Sequence, residues 1–277
     1  MKLKGRVAII TGGSRGIGKT IAEAFCREGA NVAIFARNRG EIAGAIKEIR
    51  AVTGRAPEGI ACDVSDPASV RRAVRTIGKK HRRIDVLVNA AGIQAPIGPF
   101  VSNRMDEWEK NISVNLFGTV HASKEAIPYM QKNHSGAIIN FSGGGATASR
   151  PNFSAYAVAK IGVVKFTEIL ADELAPYHIR VNAIAPGAIN TKMLEEVLKA
   201  GSRAGKKELA DAKKRAKEGG ASPELAAALV VFLASSASAG LTGRLVSAPW
   251  DDWSHWGKKE IAQIMKTDAL KVRRMKI

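Results

Sequence analysis

Short apolar runs alternate along this chain with segments in which apolar residues recur every three or four positions. The first run, residues 7–10, is continuous and rich in β-branched side chains, which is typical of a strand buried on both faces. Ile17, Ile21 and Phe25 follow it at helical spacing. Further apolar runs predict strands at residues 31–36, 59–64, 84–88, 137–141, 179–184 and 243–247. The intervals predict helices at residues 38–53, from 67 onward, within 106–133, and at 153–175, 191–218 and 223–235.

This alternation predicts an α/β fold. We expect a single doubly wound parallel sheet of the Rossmann type, with about seven strands and helices on both faces. One domain is expected over residues 1–248, in which residues 192–218 form a mobile basic lid. Residues 249–277 lie outside the alternation and are predicted to form a C-terminal extension packed on the same domain.

A glycine-rich turn, Thr-Gly-Gly-Ser-Arg-Gly-Ile-Gly, occupies residues 11–18 between the first strand and the first helix. Gly12, Gly16 and Gly18 would allow a tight turn, close approach of a pyrophosphate to the backbone and close packing of helix on strand. The N–H groups at the start of the helix would then face that anion. The alternative is a turn without a ligand. A P-loop is disfavoured, because the four-residue gap between glycines is missing before Lys19.

All the candidate motifs fall at the carboxyl ends of predicted strands, which is where open α/β sheets bind their ligands. They occupy residues 11–18, 36–37, 62–64, 89–92, 142–145 and 186–191. Their convergence indicates one ligand crevice, and it is stronger support than any single motif.

The end of the second strand is expected to contact the adenosine ribose of a dinucleotide, where an acidic residue would accept from a free 2′-hydroxyl. Ala36 and Arg37 stand there instead, and Arg15 lies in the glycine-rich turn. Two guanidinium groups without a carboxylate favour NADP(H) over NAD(H). The alternative is that Arg37 is an exposed loop charge. Asp63 and Val64 are predicted to flank the adenine, unless Asp63 is a turn residue.

Tyr156 and Lys160 stand one helical turn apart and share a helix face. A tyrosine normally titrates near ~10, so it is a poor acid–base group at neutral pH. A nearby ammonium group and a positively charged oxidised nicotinamide would both stabilise the phenolate and lower its pKa. The pair therefore predicts proton transfer to or from a carbonyl oxygen.

Composition narrows the possible partners. The 277 residues carry 43 Lys and Arg against 25 Asp and Glu, a net charge of +18. This charge suits an anionic cofactor, an acidic substrate or an acidic protein, and without a DNA-binding motif we expect no nucleic-acid partner. No apolar run approaches the roughly 20 residues of a membrane span, and the first strand begins too early for a signal peptide, so we predict a cytoplasmic protein with no membrane partner. Cys26 and Cys62 are expected to be reduced core residues, and no metal site is predicted.

Taken together, these motifs resemble those of the short-chain dehydrogenase/reductase superfamily over about residues 5–248. The resemblance is carried by residues 11–18, Asn89-Ala90-Ala91-Gly92, Ser113-Val114-Asn115, Tyr156-x-x-x-Lys160 and Pro186-Gly187-x-x-x-Thr191. It implies reversible hydride transfer between NADP(H) and a ketone or secondary alcohol, with no metal.

The resemblance also implies residue roles. Tyr156 would be the catalytic acid/base, Lys160 would lower its pKa and bind the nicotinamide ribose, and Asn115 would hold a water in a proton relay. From the residues alone, Asn115 could equally be a buried amide bonded to backbone. Asn89 would steady the central sheet. The full set of candidate cofactor contacts is Gly12, Ser14, Arg15, Gly16, Ile17, Gly18, Arg37, Asp63, Val64, Asn89, Ala90, Gly92, Tyr156, Lys160, Pro186, Gly187, Ile189 and Thr191.

The chain departs from the family pattern at the serine that orients the substrate. That serine usually lies 13 residues before the tyrosine, a position held here by Gly143, with Ser142 one residue earlier. Neighbouring residues of a strand point to opposite faces. Three alternatives follow: a bulged loop brings Ser142 round, Thr147 or Ser149 supplies the hydroxyl, or no serine is used. Our hypothesis is that Ser142 polarises the carbonyl.

The C-terminal region departs as well. Trp250, Trp253 and Trp256 follow the last predicted strand at a spacing of three residues. We expect them to anchor the tail as a small satellite core, since aromatic stripes are most often packing residues. The alternative is that they wall the substrate pocket or change subunit packing.

The sequence limits the candidate substrates to a few classes but does not identify one. The lid carries nine Lys and Arg residues, which suit a solvated helix face or an anionic substrate or acidic carrier protein. The chain is similar overall to 3-oxoacyl-carrier-protein reductases, which suggests a 3-oxoacyl thioester. Sugar or nucleotide-sugar dehydrogenation is the alternative, and a non-catalytic nucleotide sensor or scaffold is a further one. The resemblance also implies a homotetramer or homodimer formed through the helices within 106–133 and 153–175.

Overall fold

One seven-stranded sheet organises the molecule. The computed structural model describes residues 1–273. The strands are β1 (Val7–Thr11), β2 (Asn31–Ala36), β3 (Glu58–Ala61), β4 (Val86–Asn89), β5 (Gly136–Phe141), β6 (Ile179–Ala185) and β7 (Leu245–Ser247). All of them are parallel, in the order β3-β2-β1-β4-β5-β6-β7. The winding direction reverses beside β1, which confirms the predicted doubly wound α/β fold and creates a crevice at its carboxyl end.

Helices cover both faces of the sheet. They are α1 (Gly16–Arg27), α2 (Arg39–Thr53), α3 (Pro67–His81), α4 (Met105–Ile112), α5 (Gly118–Lys132), α6 (Ser154–Leu174), α7 (Lys192–Ala200), α8 (Lys206–Glu218), α9 (Pro223–Ala234) and α10 (Lys258–Met265). The apolar sides of α1, α2 and α9 pack on one face of the sheet. Those of α3, α5 and α6 pack on the other. No helix of residues 1–273 is both long enough and apolar enough to traverse a bilayer.

Three strands differ from the sequence prediction by two or more residues at one end, and one of them is β7, which begins at Leu245 rather than at residue 243. β3 ends at Ala61 rather than at residue 64, because the Asp63 carboxylate accepts from the N–H and hydroxyl of Ser65 and forms a turn. β4 runs over residues 86–89 rather than 84–88. The backbone of Asp85 still donates to the Val7 carbonyl and accepts from the Ala137 N–H, and its buried carboxylate accepts from the Val7 N–H at 2.8 Å. The region predicted to hold one or two helices contains α4 and α5, joined by a π-helical turn at Ser113–Phe117.

The segment after β7 lies against the sheet and α9. Trp253 is buried, its indole donates to the Ala248 carbonyl at 3.0 Å, and its ring lies 5.9 Å from that of Phe232. Trp256 is partly buried on the same core, whereas Trp250 is 85% exposed. Two of the three tryptophans therefore contact the core, and the third faces solvent.

Candidate active site

The turn between β1 and α1 has the geometry of an anion cradle. Gly12 and Gly16 adopt φ of +70° and +50°, which L side chains rarely adopt. A Cβ on Gly12 would lie 2.8 Å from the Ala91 Cα, so only glycine lets these two loops approach. Within the described chain, α1 has no side-chain cap and no acidic residue in its first turn. Its first N–H groups are therefore free to bind a pyrophosphate, and the residues present fit a dinucleotide.

Side chains around the predicted ribose site include a carboxylate that the sequence analysis missed. Glu41, in the first turn of α2, accepts from the Ser14 hydroxyl at 3.3 Å and pairs with Arg15 at 3.2 Å. Arg37 is exposed beyond the end of β2, near enough to Asp63 for its charge to act on that carboxyl. Burial works to raise the pKa of Asp63, but the Ser65 hydrogen bonds and the charge of Arg37 outweigh it, so the pKa lies below its usual range.

Tyr156 and Lys160 lie in the first two turns of α6 and are both buried. The Lys160 amine donates to the Phe141 carbonyl at 2.8 Å and lies 5.5 Å from the centre of the Tyr156 ring. Burial lowers the pKa of Lys160 to about 8. Burial also raises the pKa of Tyr156, and the charge of Arg150 opposes that rise only in part.

The chain without cofactor therefore does not lower the pKa of Tyr156, contrary to the effect expected from Lys160. Desolvation of the phenolate outweighs the charge of Arg150, because the Tyr156 side chain is buried. The remaining source of lowering that the sequence analysis named, the positive charge of an oxidised nicotinamide, belongs to the cofactor.

Asn115 lies in the π-helical turn and faces Lys160 across Gly92. Its side-chain nitrogen donates to the Ile93 carbonyl at 2.8 Å and to Oδ1 of Asn111 at 2.7 Å. A Cβ on Gly92 would lie 2.7 Å from Oδ1 of Asn115 and 3.8 Å from the Lys160 amine. Glycine at position 92 therefore leaves a space that both polar side chains border. π-Helical turns are often found at functional sites.

Ser142 and Gly143 follow β5 and begin the loop that leads to Tyr156. The Ser142 hydroxyl is buried and has no hydrogen-bond partner among residues 1–273. A Cβ on Gly143 would lie 2.6 Å from the Tyr156 hydroxyl oxygen, so position 143 borders the phenol directly. Thr147 and Ser149 are exposed in the same loop. The role of Ser142 stays a prediction.

The remaining predicted cofactor contacts line the crevice from two other strand ends. The Asn89 amide nitrogen donates to Oδ1 of Asn140 at 2.9 Å, which joins β4 to β5. After β6, Gly187 adopts φ of +88°, Ile189 packs on the core, and Thr191 caps α7 by accepting from the Met193 N–H. A Cβ on Gly16 would lie 3.5 Å from the Thr191 methyl group, which places the end of β6 beside the glycine-rich turn.

The segment predicted as a lid, residues 192–218, consists of α7, α8 and a 3-10 turn at Gly201–Ala204. It packs against the loop after β4 and the start of α6 through a small apolar cluster that includes Leu194, Val197, Ile97 and Phe153. Its mobility stays a prediction. The lid also brings Glu208 to Arg150, a residue that the sequence analysis did not single out, because no local pattern distinguishes one loop arginine from another.

Within residues 1–273, no three His, Cys, Asp or Glu side chains gather in a way that could hold a metal ion. Cys26 and Cys62 are buried free thiols, and burial raises the pKa of each to about 11, so they stay protonated at neutral pH.

Comparison with known proteins places the chain in a family. A 3-oxoacyl-[acyl-carrier-protein] reductase from Thermotoga maritima is 34% identical over 247 residues, 89% of this chain and 97% of that protein. A D-threitol dehydrogenase from Mycolicibacterium smegmatis is 34% identical over 87% of this chain and 90% of that protein. A crystal structure of NAD⁺-bound xylitol dehydrogenase superposes with a TM-score of 0.83 at 26% identity, covering 89% and 98% of the two chains.

The family model for short chain dehydrogenase matches residues 6–201, which span the glycine-rich turn, Tyr156, Lys160 and the start of the lid. Members of this family are oxidoreductases that use a nicotinamide dinucleotide. The chain therefore belongs to the short-chain dehydrogenase family.

Proposed function

We propose that this protein is an NADP(H)-dependent oxidoreductase that moves a hydride between the nicotinamide and a ketone or secondary alcohol, with Tyr156 as the acid/base. One observation carries the proposal: a buried phenol lies 5.5 Å, measured from its ring centre, from a buried lysine amine. Both groups stand at the carboxyl end of the sheet, beside a turn that fits a pyrophosphate.

The residues that would hold the cofactor follow from this arrangement. The N–H groups at the start of α1 would bind the pyrophosphate, and Lys160 and Asn115, which converge on Gly92, would lie on the ribose side. Bound NADPH would supply the hydride. The phenol of Tyr156 would donate its proton to the carbonyl oxygen, and its raised pKa keeps it protonated at neutral pH, ready for the reductive direction.

Ser142 enters the proposal as the group that polarises the carbonyl. Its hydroxyl is buried without a protein partner, so it has hydrogen-bonding capacity to offer. We expect Ser142→Ala to lower kcat, and a kcat equal to that of the wild-type enzyme would remove Ser142 from the mechanism.

Arg15 and Arg37 support the choice of NADP(H), since no acidic residue ends β2 and both guanidinium groups are exposed near that point. Glu41 acts in the opposite direction, because its carboxylate already pairs with Arg15. The preference therefore depends mainly on Arg37. It is tested by comparing kcat/KM for NADPH and NADH.

The substrate we propose is a 3-oxoacyl thioester presented by an acidic carrier. The likeness to a 3-oxoacyl-[acyl-carrier-protein] reductase supports it, as does the exposed basic surface of the lid, formed by Lys199, Arg203, Lys206, Lys207, Lys213, Lys214 and Lys217. Sugar or polyol dehydrogenation is the second candidate, favoured by the likeness to D-threitol dehydrogenase and to xylitol dehydrogenase.

The deciding experiment measures NADPH oxidation with acetoacetyl thioesters and NADP⁺ or NAD⁺ reduction with a panel of sugars and polyols. We expect turnover of the thioester and its loss in Tyr156→Phe, which removes only the phenol oxygen. Turnover of a sugar alone would replace the proposed substrate. Cofactor binding without turnover of either class would favour a non-catalytic sensor instead.

Assembly into dimers or tetramers is part of the proposal. Phe117 beside α5 and Val158 and Ile169 on α6 are each about half exposed, at 49%, 48% and 49%. These apolar side chains belong to the two long helical regions for which the sequence analysis proposed a subunit interface. Analytical ultracentrifugation of the wild-type chain tests it, and a monomer at micromolar concentration would contradict it.

A further inference from the structure

An ion pair joins the lid to the loop that precedes Tyr156. Arg150, between β5 and α6, donates from Nε to one carboxylate oxygen of Glu208 at 2.8 Å and from Nη2 to the other at 3.0 Å. Glu208 lies in the first turn of α8. The two side chains are 14% and 26% exposed, so water screens this bidentate contact less than it screens the surface pairs of the lid.

Two further groups complete what we call the Arg150 cluster: Arg150, Glu208, Gln94 and the Met193 carbonyl. With the Gln94 amide oriented so that its nitrogen donates to the Met193 carbonyl at 2.9 Å, its oxygen accepts from Nη1 and Nη2 of Arg150 at 2.9 and 3.0 Å. The guanidinium carbon also lies 3.8 Å from the centre of the Phe153 ring. The cluster thus connects α7, α8 and the loop after β4 to the loop between β5 and α6, which precedes Tyr156.

Arg150 could either fix the lid in place or bind an anionic substrate, and its hydrogen bonds distinguish these two roles. Glu208 and Gln94 together occupy four of its five N–H groups, and Glu208 balances its charge. The Arg150 hydrogen bonds hold the pKa of Glu208 below its usual range, so that carboxyl is ionised at neutral pH. A guanidinium in this state is better suited to fixing the lid than to capturing an anionic substrate.

Helix α8 has few other contacts that could hold it in place. Of its 13 residues only Ala212 is buried, so little apolar surface fixes it to the domain. Its other polar contact with the body of the chain is a hydrogen bond from the exposed Asn190 amide to the Arg215 carbonyl at 2.9 Å. The pair between Arg150 and Glu208 is therefore the strongest directional contact that α8 makes among the described residues.

We propose that Arg150 is a positioning residue that holds α8 closed over the substrate cleft through Glu208, and that this contact contributes to substrate affinity. The second half of the proposal rests on the proposed function, because it concerns a kinetic constant. The first half does not, because it concerns only the stability of the closed lid.

Hydrogen exchange of the full chain, without substrate or cofactor, tests the first half. We expect amides of residues 206–218 to exchange about tenfold faster in Glu208→Gln and in Arg150→Met, with amides of α1 unchanged. The double variant is expected to exchange no faster than the faster single variant, because both changes remove the same contact.

Glu218→Gln is the matched control, since Glu218 lies in the same helix and its pair with Lys214, at 3.8 Å, is exposed. It is expected to leave exchange in α8 at the wild-type rate. Wild-type exchange of residues 206–218 in Glu208→Gln would overturn the proposal, whether or not the protein proves to be a ketone reductase.

Kinetics test the second half. In Glu208→Gln we expect KM for the carbonyl substrate to rise about tenfold with kcat within twofold of wild type, because substrate and transition state lose the same binding contribution. An equal fall in kcat, or an unchanged KM, would overturn this half. If Arg150 instead bound a substrate carboxylate, Glu208→Gln would lower KM for anionic ketones while Arg150→Met raised it, and that pattern would also overturn the proposal.

Discussion

The two sides of the crevice are built in different ways. On the cofactor side, the turn after β1 is shaped by backbone: Gly12 and Gly16 adopt left-handed conformations, and helix N–H groups supply the binding atoms. On the substrate side, the walls are side chains, and the Arg150 cluster joins segments more than fifty residues apart in sequence. The backbone surface requires glycine at positions where a side chain would clash or strain the chain, and glycines can be read from the sequence. The side-chain surface requires residues that are far apart in sequence and meet only in the folded protein.

The largest effect is expected for the phenol of Tyr156, which is proposed to lie between the cofactor and the substrate. Replacing Tyr156 by Phe removes the proton donor and is expected to lower kcat by about 10³-fold, within the usual range for general acid–base catalysis. Because the phenol is buried and its ring stays in place, binding of NADPH followed by fluorescence is expected to be unchanged. A variant that keeps a tenth of wild-type activity would contradict the assignment.

A backbone change tests the cofactor side. Gly12→Ala places a methyl group 2.8 Å from the Ala91 Cα at a left-handed φ, and we expect it to lower the free energy of unfolding by about 2–3 kcal/mol and to weaken NADPH binding. Gly44→Ala is the matched control, because Gly44 is exposed within α2 and a Cβ there would have no neighbour within 4 Å. That control is expected to stabilise the protein by about 0.5–1 kcal/mol in urea titrations.

Equal losses of stability in Gly12→Ala and Gly44→Ala would show that the close approach of the two loops is unimportant. The cofactor side of the crevice would then not depend on glycine at position 12, and the contrast drawn above between the two sides would be wrong.

The space beside the phenol gives the matching test on the substrate side. Gly143→Ala puts a methyl group 2.6 Å from the Tyr156 hydroxyl, and we expect kcat/KM to fall about tenfold through displacement of the phenol. Gly144→Ala, one residue on, meets only the Arg150 side chain at 3.9 Å and is expected to keep wild-type kinetics. Similar kinetics for both variants would show that position 143 does not border the reacting atoms.

The pH profile tests the buried amine. Because the pKa of Lys160 is lowered to about 8, the ammonium is present below that pH and is lost above it, while the raised pKa of Tyr156 keeps the phenol protonated. We therefore expect kcat/KM for reduction to be level below pH 8 and to fall as the pH rises above 8. The residual activity of Lys160→Met is expected to lack this decline, and a wild-type profile that stays level to pH 10 would contradict it.

The smallest effect is expected at the ribose end. Arg37→Ala is predicted to lower kcat/KM for NADPH about fivefold and to leave NADH unaffected, because an exposed charge–phosphate contact is partly screened by water. Glu41→Gln, which frees Arg15, is expected to favour NADPH. Parallel changes for both cofactors in Arg37→Ala would indicate a loop charge without a role in selectivity.

Much of this architecture was open to prediction because it is periodic or local. The alternation of apolar runs gave the seven parallel strands, and the glycine spacing located the turn after β1. The ends of strands were harder to predict. β3 stops at Ala61 because the Asp63 carboxylate binds Ser65 and forms a turn, and the pattern of apolar residues contains no signal for that turn. The chain by itself also does not lower the pKa of Tyr156, because spacing reports nearness to Lys160 but not depth of burial.

By itself, the sequence determined the fold class, the place of the crevice and the residue types able to move a proton there, since those follow from periodicity and from chemistry carried by single residues. Only the tertiary structure decided that Glu41 pairs with Arg15, that Gly143 borders the phenol, and that Glu208 holds Arg150. The physical reason is that each of these facts depends on distances between segments remote in the chain, and on burial, which no single residue carries.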